Sequence, residues 1–332
     1  MEHFTIEDVA ARAGVSVTTV SHVFSGNRPV RESTSQRVKQ IATEMGYRPN
    51  AVAVSLRVQR TSTAMIIIPD ITNPVFPAFA RVVQDVLRTG GYQTLLCNTD
   101  ADEAEERSFL DEAFSRRMDG VVFLGFRVPT VDLLPFAEAG LAIVNLGFGE
   151  PGSTIDNVRF DDRASAAEAT SFLLGVAPGS VGFIDGTHES AVAESRLAGY
   201  TDAYEKNAIA IPDDFVVNTE FTVEGGRTGM RRLMGLSTPP RAVFCANDLI
   251  ALGAIEIARE EGLRIPEDVA IMGCDDIDAA EIVTPRLTTI RNSAELIGKA
   301  SGELLLSRMT GEYTGPGREV VVPHQLVVRE SA

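Results

Sequence analysis

Twenty residues near the start of the chain, Thr5 to Phe24 (TIEDVAARAGVSVTTVSHVF), leave it few ways to fold. They read as two short helices joined by a tight turn. Thr5 precedes Ile6-Glu7-Asp8, so its hydroxyl can cap a helix while Asp8 reaches back to complete a capping box. Ile6, Val9, Ala10 and Ala13 recur at helical spacing and form one apolar stripe. Ala10 is small enough for a second helix to cross closely. Gly14 can take the positive φ of a sharp turn, and Val15 plugs it. Ser16 can cap the next helix, whose inward face is Val20 with Val23 or Phe24. The spacing Ala10, Gly14, Val20 is that of a helix-turn-helix, a unit that lays its second helix in the DNA major groove. That helix exposes Val17, Thr18, Ser21 and His22. Val17 can touch a thymine methyl, Thr18 can exchange a hydrogen bond with a base edge, and His22 can donate to guanine N7 or O6. The plainer account of these four is solvated surface.

Downstream, Ser33 or Thr34 can cap a third helix running to about Met45, with Val38, Ile41, Ala42 and Met45 as its apolar stripe and Gly46 as its stop. Asn50 can cap a short helix from Ala51 to Arg57, too short to persist without a twin or DNA. Charge follows the same division. Residues 1–60 carry 8 basic and 5 acidic side chains, a net of +3, while the whole 332-residue chain carries −16, which leaves −19 for the rest. A basic head before an acidic body suits DNA binding through the head alone, and plain solubility also accounts for the acidic body. The length calls for two or three compact units. Cys97, Cys245 and Cys274 are odd in number, far apart and set in apolar stretches, as buried free thiols are. No apolar run nears the ~20 residues that span a bilayer. Glu2, Glu7 and Asp8 stand where an export signal would begin. The expectation is a cytoplasmic, nucleoid-associated protein with no membrane part.

Beyond residue 60, strand-like runs (65–69, 93–98, 120–125, 142–146, 180–184, 215–218, 242–246 and 269–273) alternate with helical patterns (77–89, 103–117, 162–174, 194–206, 224–234 and 248–261). Alternation of this kind builds parallel sheets, and ligands of such sheets bind beyond the carboxyl ends of the strands. Polar residues follow the strands in the right places: Asp70 and Asn73 with Phe76, Asn98-Thr99-Asp100, Asn247-Asp248 and Asp275-Asp276. Carboxylates and amides can hold sugar hydroxyls or purine edges while aromatic faces cover a ring. Capping or structural roles for Asp248 and Asp276 are an equal alternative.

Three segments, DVAARAGVSVTTVSHVF, GYRPNAVAVSLR and TSTAMIIIPDITNPVF, resemble in order and spacing the lactose/galactose repressor family. The resemblance implies an all-α helix-turn-helix headpiece (1–48), a hinge helix and linker (49–60), and an effector-binding and dimerisation domain (61–332). That domain would be α/β, two-lobed and periplasmic-binding-protein-like, with parallel sheets and three crossovers. Its N-lobe would take 61–160 and 291–321, and its C-lobe 161–290 and 322–332. Implied DNA-facing residues are Thr5, Ser16, Val17, Thr18, Ser21 and His22 in the headpiece and Asn50, Ala53, Leu56 and Arg57 in the hinge. Leu56 would wedge between central base pairs in the minor groove. Val54 stands where the family commonly has Arg. Implied effector residues are Asp70, Asn73, Phe76, Asp100, Asn145, Arg196, Phe221, Asn247 and Asp275, with Phe221 stacking on the ligand and Arg196 reaching a hydroxyl or carboxylate. Where the family often offers Asp or Arg after the fourth strand, this chain has Asn145-Leu146-Gly147-Phe148, which points to an effector less hydroxylated than a simple sugar or held differently. The implied partners are a palindromic double-stranded operator, a sugar-like or other metabolite, and a second copy of the chain, as a homodimer or a dimer of dimers.

An enzyme would need a nucleophile, metal or acid–base set. The four histidines (3, 22, 188 and 324) form no cluster with metal spacing, and neither a phosphate loop nor a GxSxG elbow is present. Neither a cofactor nor a metal is expected. The competing reading is a stand-alone solute-binding protein, against which the first sixty residues weigh.

Overall fold

A short apolar stripe on each of three helices is enough to close the first unit. The computed structural model describes residues 4–25, 28–47, 60–150, 152–186 and 190–332. Helices α1 (Ile6–Ala13), α2 (Val17–Ser25) and α3 (Glu32–Met45) bury Val9, Ala10, Ala13, Val20, Val38 and Ala42 against one another. Ile6, Val15, Val23, Phe24 and Tyr47 close the rim of this core. The expected cap of the third helix is corrected: the helix starts at Glu32, behind Arg31, which makes no side-chain cap. The Arg31 carbonyl already accepts from the Thr34 and Ser35 amides, so the first turn closes ahead of Ser33 and Thr34. The hinge expectations, Asn50, Ala53, Leu56 and Arg57, lie outside the described residues.

The body is built on two six-stranded sheets. The first holds β1 (Thr63–Ile68), β2 (Gln93–Asn98), β3 (Gly120–Phe123), β4 (Ala142–Leu146), β5 (Asp156–Phe160) and β11 (Glu319–Val322), in the order β11-β5-β4-β3-β1-β2, every pair parallel. The second holds β6 (Val181–Asp185), β7 (Val216–Asn218), β8 (Ala242–Cys245), β9 (Ala270–Asp275), β10 (Thr288–Asn292) and β12 (His324–Val327), in the order β12-β10-β9-β8-β6-β7. Parallel pairing holds there except at the edge, where β12 runs antiparallel to β10. The chain passes between the sheets three times: after β5, after β10, and between β11 and β12. Helices α4 (Val75–Thr89), α5 (Glu103–Ser115) and α6 (Leu134–Glu138) belong to the first lobe. Helices α7 (Asp162–Val176), α8 (Ala191–Lys206), α9 (Val223–Met234), α10 (Asp248–Glu260) and α11 (Asp278–Ile282) belong to the second, and α12 (Ala294–Met309) returns to pack on α4. None of the described helices is long and apolar enough to cross a membrane.

Four strands escape the sequence pattern: β5, β10, β11 and β12. DNVRF and TTIRN mix polar and apolar residues without clean alternation, and β11 and β12 are only four residues each. The chain enters the first lobe under a clamp. Asp119, just before β3, accepts from the Thr61 amide (3.1 Å), the Thr61 hydroxyl (2.9 Å) and the Thr63 amide (3.2 Å), all on Oδ2.

At the strand starts of the same lobe, far from the cavity, Asp156 is fully buried. It accepts from Arg308 Nη2 (2.7 Å) and Nε (2.8 Å), and from Arg318 Nη2 (2.6 Å) and backbone (2.8 Å). Both guanidiniums stack on Tyr313, at 4.9 and 4.0 Å from its centroid. Burial alone would raise the Asp156 pKa, but the hydrogen bonds from Arg308 and Arg318 outweigh it and hold the carboxyl below its ordinary value. This one residue thereby ties β5 to α12 and to the segment leading into β11. Asp156→Ala would strand two guanidiniums, and we expect a loss of about 3–5 kcal/mol in urea unfolding at pH 7. Because the folded pKa is depressed, the contribution is complete above about pH 4 and fades as pH falls through the folded value. Asp156→Asn should therefore narrow its deficit relative to wild type as the medium is acidified.

Candidate DNA-facing helix and interlobe cavity

The turn of the headpiece rests on Gly14, whose φ of 62° and ψ of 40° lie in the left-handed region. The Val15 amide returns to the Ala10 carbonyl at 3.1 Å. Thr5 and Asp8 form the capping box: the Thr5 amide and hydroxyl each donate to Asp8 Oδ2 at 2.8 Å, and the Asp8 amide donates to the Thr5 hydroxyl at 3.4 Å. Those Thr5 hydrogen bonds lower the Asp8 pKa. Ser16 Oγ accepts from the Thr19 amide at 3.1 Å, so α2 starts where the sequence places it. Ser16, Val17 and Thr18 are exposed at its first turn, and Val17 presents an apolar side chain 40 % exposed to solvent. Ser21 and His22 differ from expectation, since both are half-buried. Ser21 follows directly on the fully buried Val20 and flanks the packed arc of the helix. Nδ1 of His22 is buried with no hydrogen-bond partner among the described residues, which leaves Nε2 as the ring atom able to meet a base.

Between the two sheets, beyond the carboxyl ends of their strands, lies a cavity of about 830 Å³. Asp70, Asn73, Phe76, Asp100, Asn145, Arg196, Phe221, Asn247 and Asp275 all line it. The first lobe supplies Asp70, Asn73 and Phe76 after β1, Asp100 after β2 and Asn145 on β4. The second supplies Arg196 on α8, Phe221 ahead of α9, Asn247 after β8 and Asp275 at the end of β9.

Arg196 is 6 % exposed, which rules out the surface salt bridge that a lone Arg on a helix would suggest. Its Nε and Nη2 bond Asp162 Oδ1 at 3.0 and 2.9 Å, Nη1 donates to the Ala246 carbonyl, and Nη2 stands 4.0 Å from Asp275. Burial pushes the Asp275 carboxyl up to about 7, with Arg196 pulling the other way. Asp185, at the end of β6, is likewise pushed to about 7 by burial. Phe221 sits over Gly186, where a Cβ would come within 2.1 Å of the ring, so only glycine lets the ring lie down there.

Several polar groups have structural work of their own. Asn247 Oδ1 caps α10 through the Ile250 amide (2.9 Å), and its Nδ2 donates to the Phe221 carbonyl (3.3 Å). Asp248 is fully buried and accepts from the Ile277 amide (2.9 Å) and the Thr289 hydroxyl (2.6 Å). Asp276 pairs with Arg291 and Arg329. Asn145 Nδ2 donates within its own lobe, to Asn157 and Thr130 (both 3.2 Å). Asp70 accepts from the Thr72 amide and hydroxyl, and Asp100 from Asn98 Nδ2.

The sequence left other lining residues unmarked: Asp162, Phe126, Arg127, Phe160 and Asn292. Asp162, Phe160 and Asn292 belong to or adjoin β5 and β10, the strands that the pattern hides. Had β5 been read, the rule that polar residues follow strands would have found Asp162. Six phenylalanines line the cavity (76, 79, 126, 148, 160 and 221), with no Tyr among its described lining residues. These rings carry no hydroxyl of their own; the hydroxyls of the lining belong to Thr72, Thr130, Ser190, Ser195 and Thr222.

Comparison with known proteins agrees with this arrangement. Residues 5–50 match the family of bacterial regulatory proteins, lacI family, and residues 177–332 match the periplasmic binding protein-like domain. The chain is 31 % identical to the HTH-type transcriptional repressor CytR of Escherichia coli (strain K12), over 98 % of this chain and 96 % of that protein. A solved complex of the transcriptional regulator CelR with cellobiose is 31 % identical, with a TM-score of 0.74 over 99 % of this chain and 100 % of that one. The lac repressor dimer bound to operator and the anti-inducer ONPF, at 22 % identity, shares the fold with a TM-score of 0.86 over 99 % of both chains.

The raised Asp275 pKa has a thermodynamic consequence. Between about pH 4 and 7 the folded chain keeps a proton that the unfolded chain has released, so stability falls as pH rises. Asp275→Asn should remove part of that slope, gaining on the order of 1–3 kcal/mol on wild type between pH 5 and pH 8 in urea unfolding. An unchanged difference at the two pH values would contradict the burial argument.

Proposed function

Since the chain belongs to the LacI/GalR family of bacterial transcriptional regulators, we propose that it is a cytoplasmic repressor that grips a palindromic operator as a homodimer and answers to a small molecule held between its lobes. The observation that carries this reading is the exposed first turn of α2, Ser16-Val17-Thr18, in one chain with an interlobe cavity lined from both lobes. Residues at the start of such a helix are the ones that meet base edges. Apolar side chains left open on the first lobe, Leu95 and Leu96 on the edge strand β2 and Phe114 at the end of α5, support pairing with a second copy.

The cavity volume falls within the range of small-molecule sites. Its phenylalanine wall favours a ring compound with one apolar face, and Arg196, Asp162 and Asp275 favour hydroxyl or amide groups on the opposite edge. The cellobiose bound by CelR supports a carbohydrate-sized effector here. Effector binding would change how the two lobes meet and so the separation of the paired headpieces; coupling of about 1–3 kcal/mol is the usual scale. Family relatives are regulators rather than enzymes, and we assign no catalytic step.

Three measurements test the proposal. Nuclease footprinting of the full chain on random duplex pools should reveal a protected palindrome, whereas a solute receptor would protect nothing. Leu56→Ala should weaken operator binding without altering effector-induced thermal shifts. His22→Ala should relax base preference at one half-site position by roughly 1–3 kcal/mol, and an identical selection profile would remove His22 from the reading set.

A further inference from the structure

Glu106 is fully buried on α5, in the first lobe, yet no cation neutralises it through a salt bridge among the described residues. Three consecutive backbone amides solvate it instead. Oε1 accepts from the Phe126 amide at 2.7 Å, and Oε2 accepts from the Arg127 and Val128 amides at 3.2 and 2.8 Å. A buried carboxylate is tolerated when hydrogen bonds of this kind replace its water. The three amides belong to the loop that leaves β3 and forms part of the cavity wall. Glycine at 125 is what lets the loop lie this close, because a Cβ there would lie 2.2 Å from the Phe123 ring and 2.7 Å from Glu106 Oε2.

What this clamp presents is the ring of Phe126. It meets Phe76 of its own lobe edge-on, with centroids 6.2 Å apart and planes at 70°. It also meets Phe221 of the other lobe, with centroids 6.4 Å apart and planes at 46°. Both separations lie within the attractive range for aromatic pairs. Phe126 and Phe221 thus meet ring to ring across the cleft.

We infer that Glu106 is a positioning residue for effector binding: by fixing Phe126 against Phe221 it draws the two lobes together and assembles the aromatic side of the cavity before any small molecule arrives. The inference rests on the sensor reading only for its purpose, since the contact it describes lies between two residues of this chain. A site whose closed form is already populated binds with less of its affinity spent on closure. Phe126 is the residue that would touch the effector, and Glu106 acts through it.

The test reads the lobes directly. Cys97, Cys245 and Cys274 are buried, so spin labels can be directed to V131C in the first lobe and E194C in the second, both exposed and neither lining the cavity. In the full chain without ligand, electron–electron dipolar distances should show a dominant short component. Phe126→Ala should lower the ratio of short to long components about 2- to 10-fold, and Phe126→Tyr, which keeps the ring, should restore it. Glu106→Gln should shift the ratio in the same direction as Phe126→Ala. A wild-type distribution already dominated by the long component, or one that Phe126→Ala leaves unchanged, would overturn the inference. If Glu106→Gln does not fold, wild-type hydrogen exchange decides its role: the amides of 126–128 should be protected, and exchange at free-peptide rates would remove Glu106. Failure to find an operator would leave these distances untouched, so the two readings fail separately.

Discussion

A guanidinium carried into the interior needs compensation from every side, and the second lobe is arranged around giving it to Arg196. Desolvating such a charge is expensive unless the geometry of its partners is good. Asp162 supplies one carboxylate at the start of α7, the Ala246 carbonyl a second acceptor, and Asp275 a more distant third at the end of β9. These partners come from the start of α7 and from the carboxyl ends of β8 and β9. Arg196 is therefore both a cavity wall and the pin that keeps those strand ends in register. A polar effector entering here would meet donors and acceptors already oriented by one another rather than by water.

The two lobes divide the chemistry. The second brings the buried charges. The first brings most of the ring faces, and its polar residues are largely turned to its own loops: Asn145 toward Asn157 and Thr130, Asp70 toward Thr72. Asp156 does for the first lobe what Arg196 does for the second, at the opposite end of the sheet, where it joins β5 to two neighbouring segments more than 150 residues further along the chain. The Arg196 cluster lies in the wall of the cleft, whereas the Asp156 cluster braces its lobe from the far end of the sheet.

The headpiece was legible almost residue by residue, because caps, a positive-φ glycine and a helical stripe are local signals. Thr5, Gly14 and Ser16 act through neighbours three to five residues away, which a sequence displays directly. The cavity residues at the ends of β1, β2, β8 and β9 were legible for a similar reason, as polar groups that end apolar runs, whereas Asn145 on β4 came only with the family resemblance. What stayed hidden depends on contacts distant in sequence. β5 and β10 are held by parallel neighbours rather than by their own pattern, so Asp162 and Asn292 had no flag. The half-burial of Ser21 and His22 could not be read from spacing, since a helical wheel shows the angle of a side chain and not what neighbouring segments cover. Structural duties for Asn247 and Asp248 compete with the ligand roles that position alone implies, and only the hydrogen bonds separate the two.

One oxygen of Asp119 holds Thr61 and Thr63 together at the doorway of the first lobe. The entry segment is thereby tied to the start of β3, so a turn of the first lobe carries residue 61 along with it.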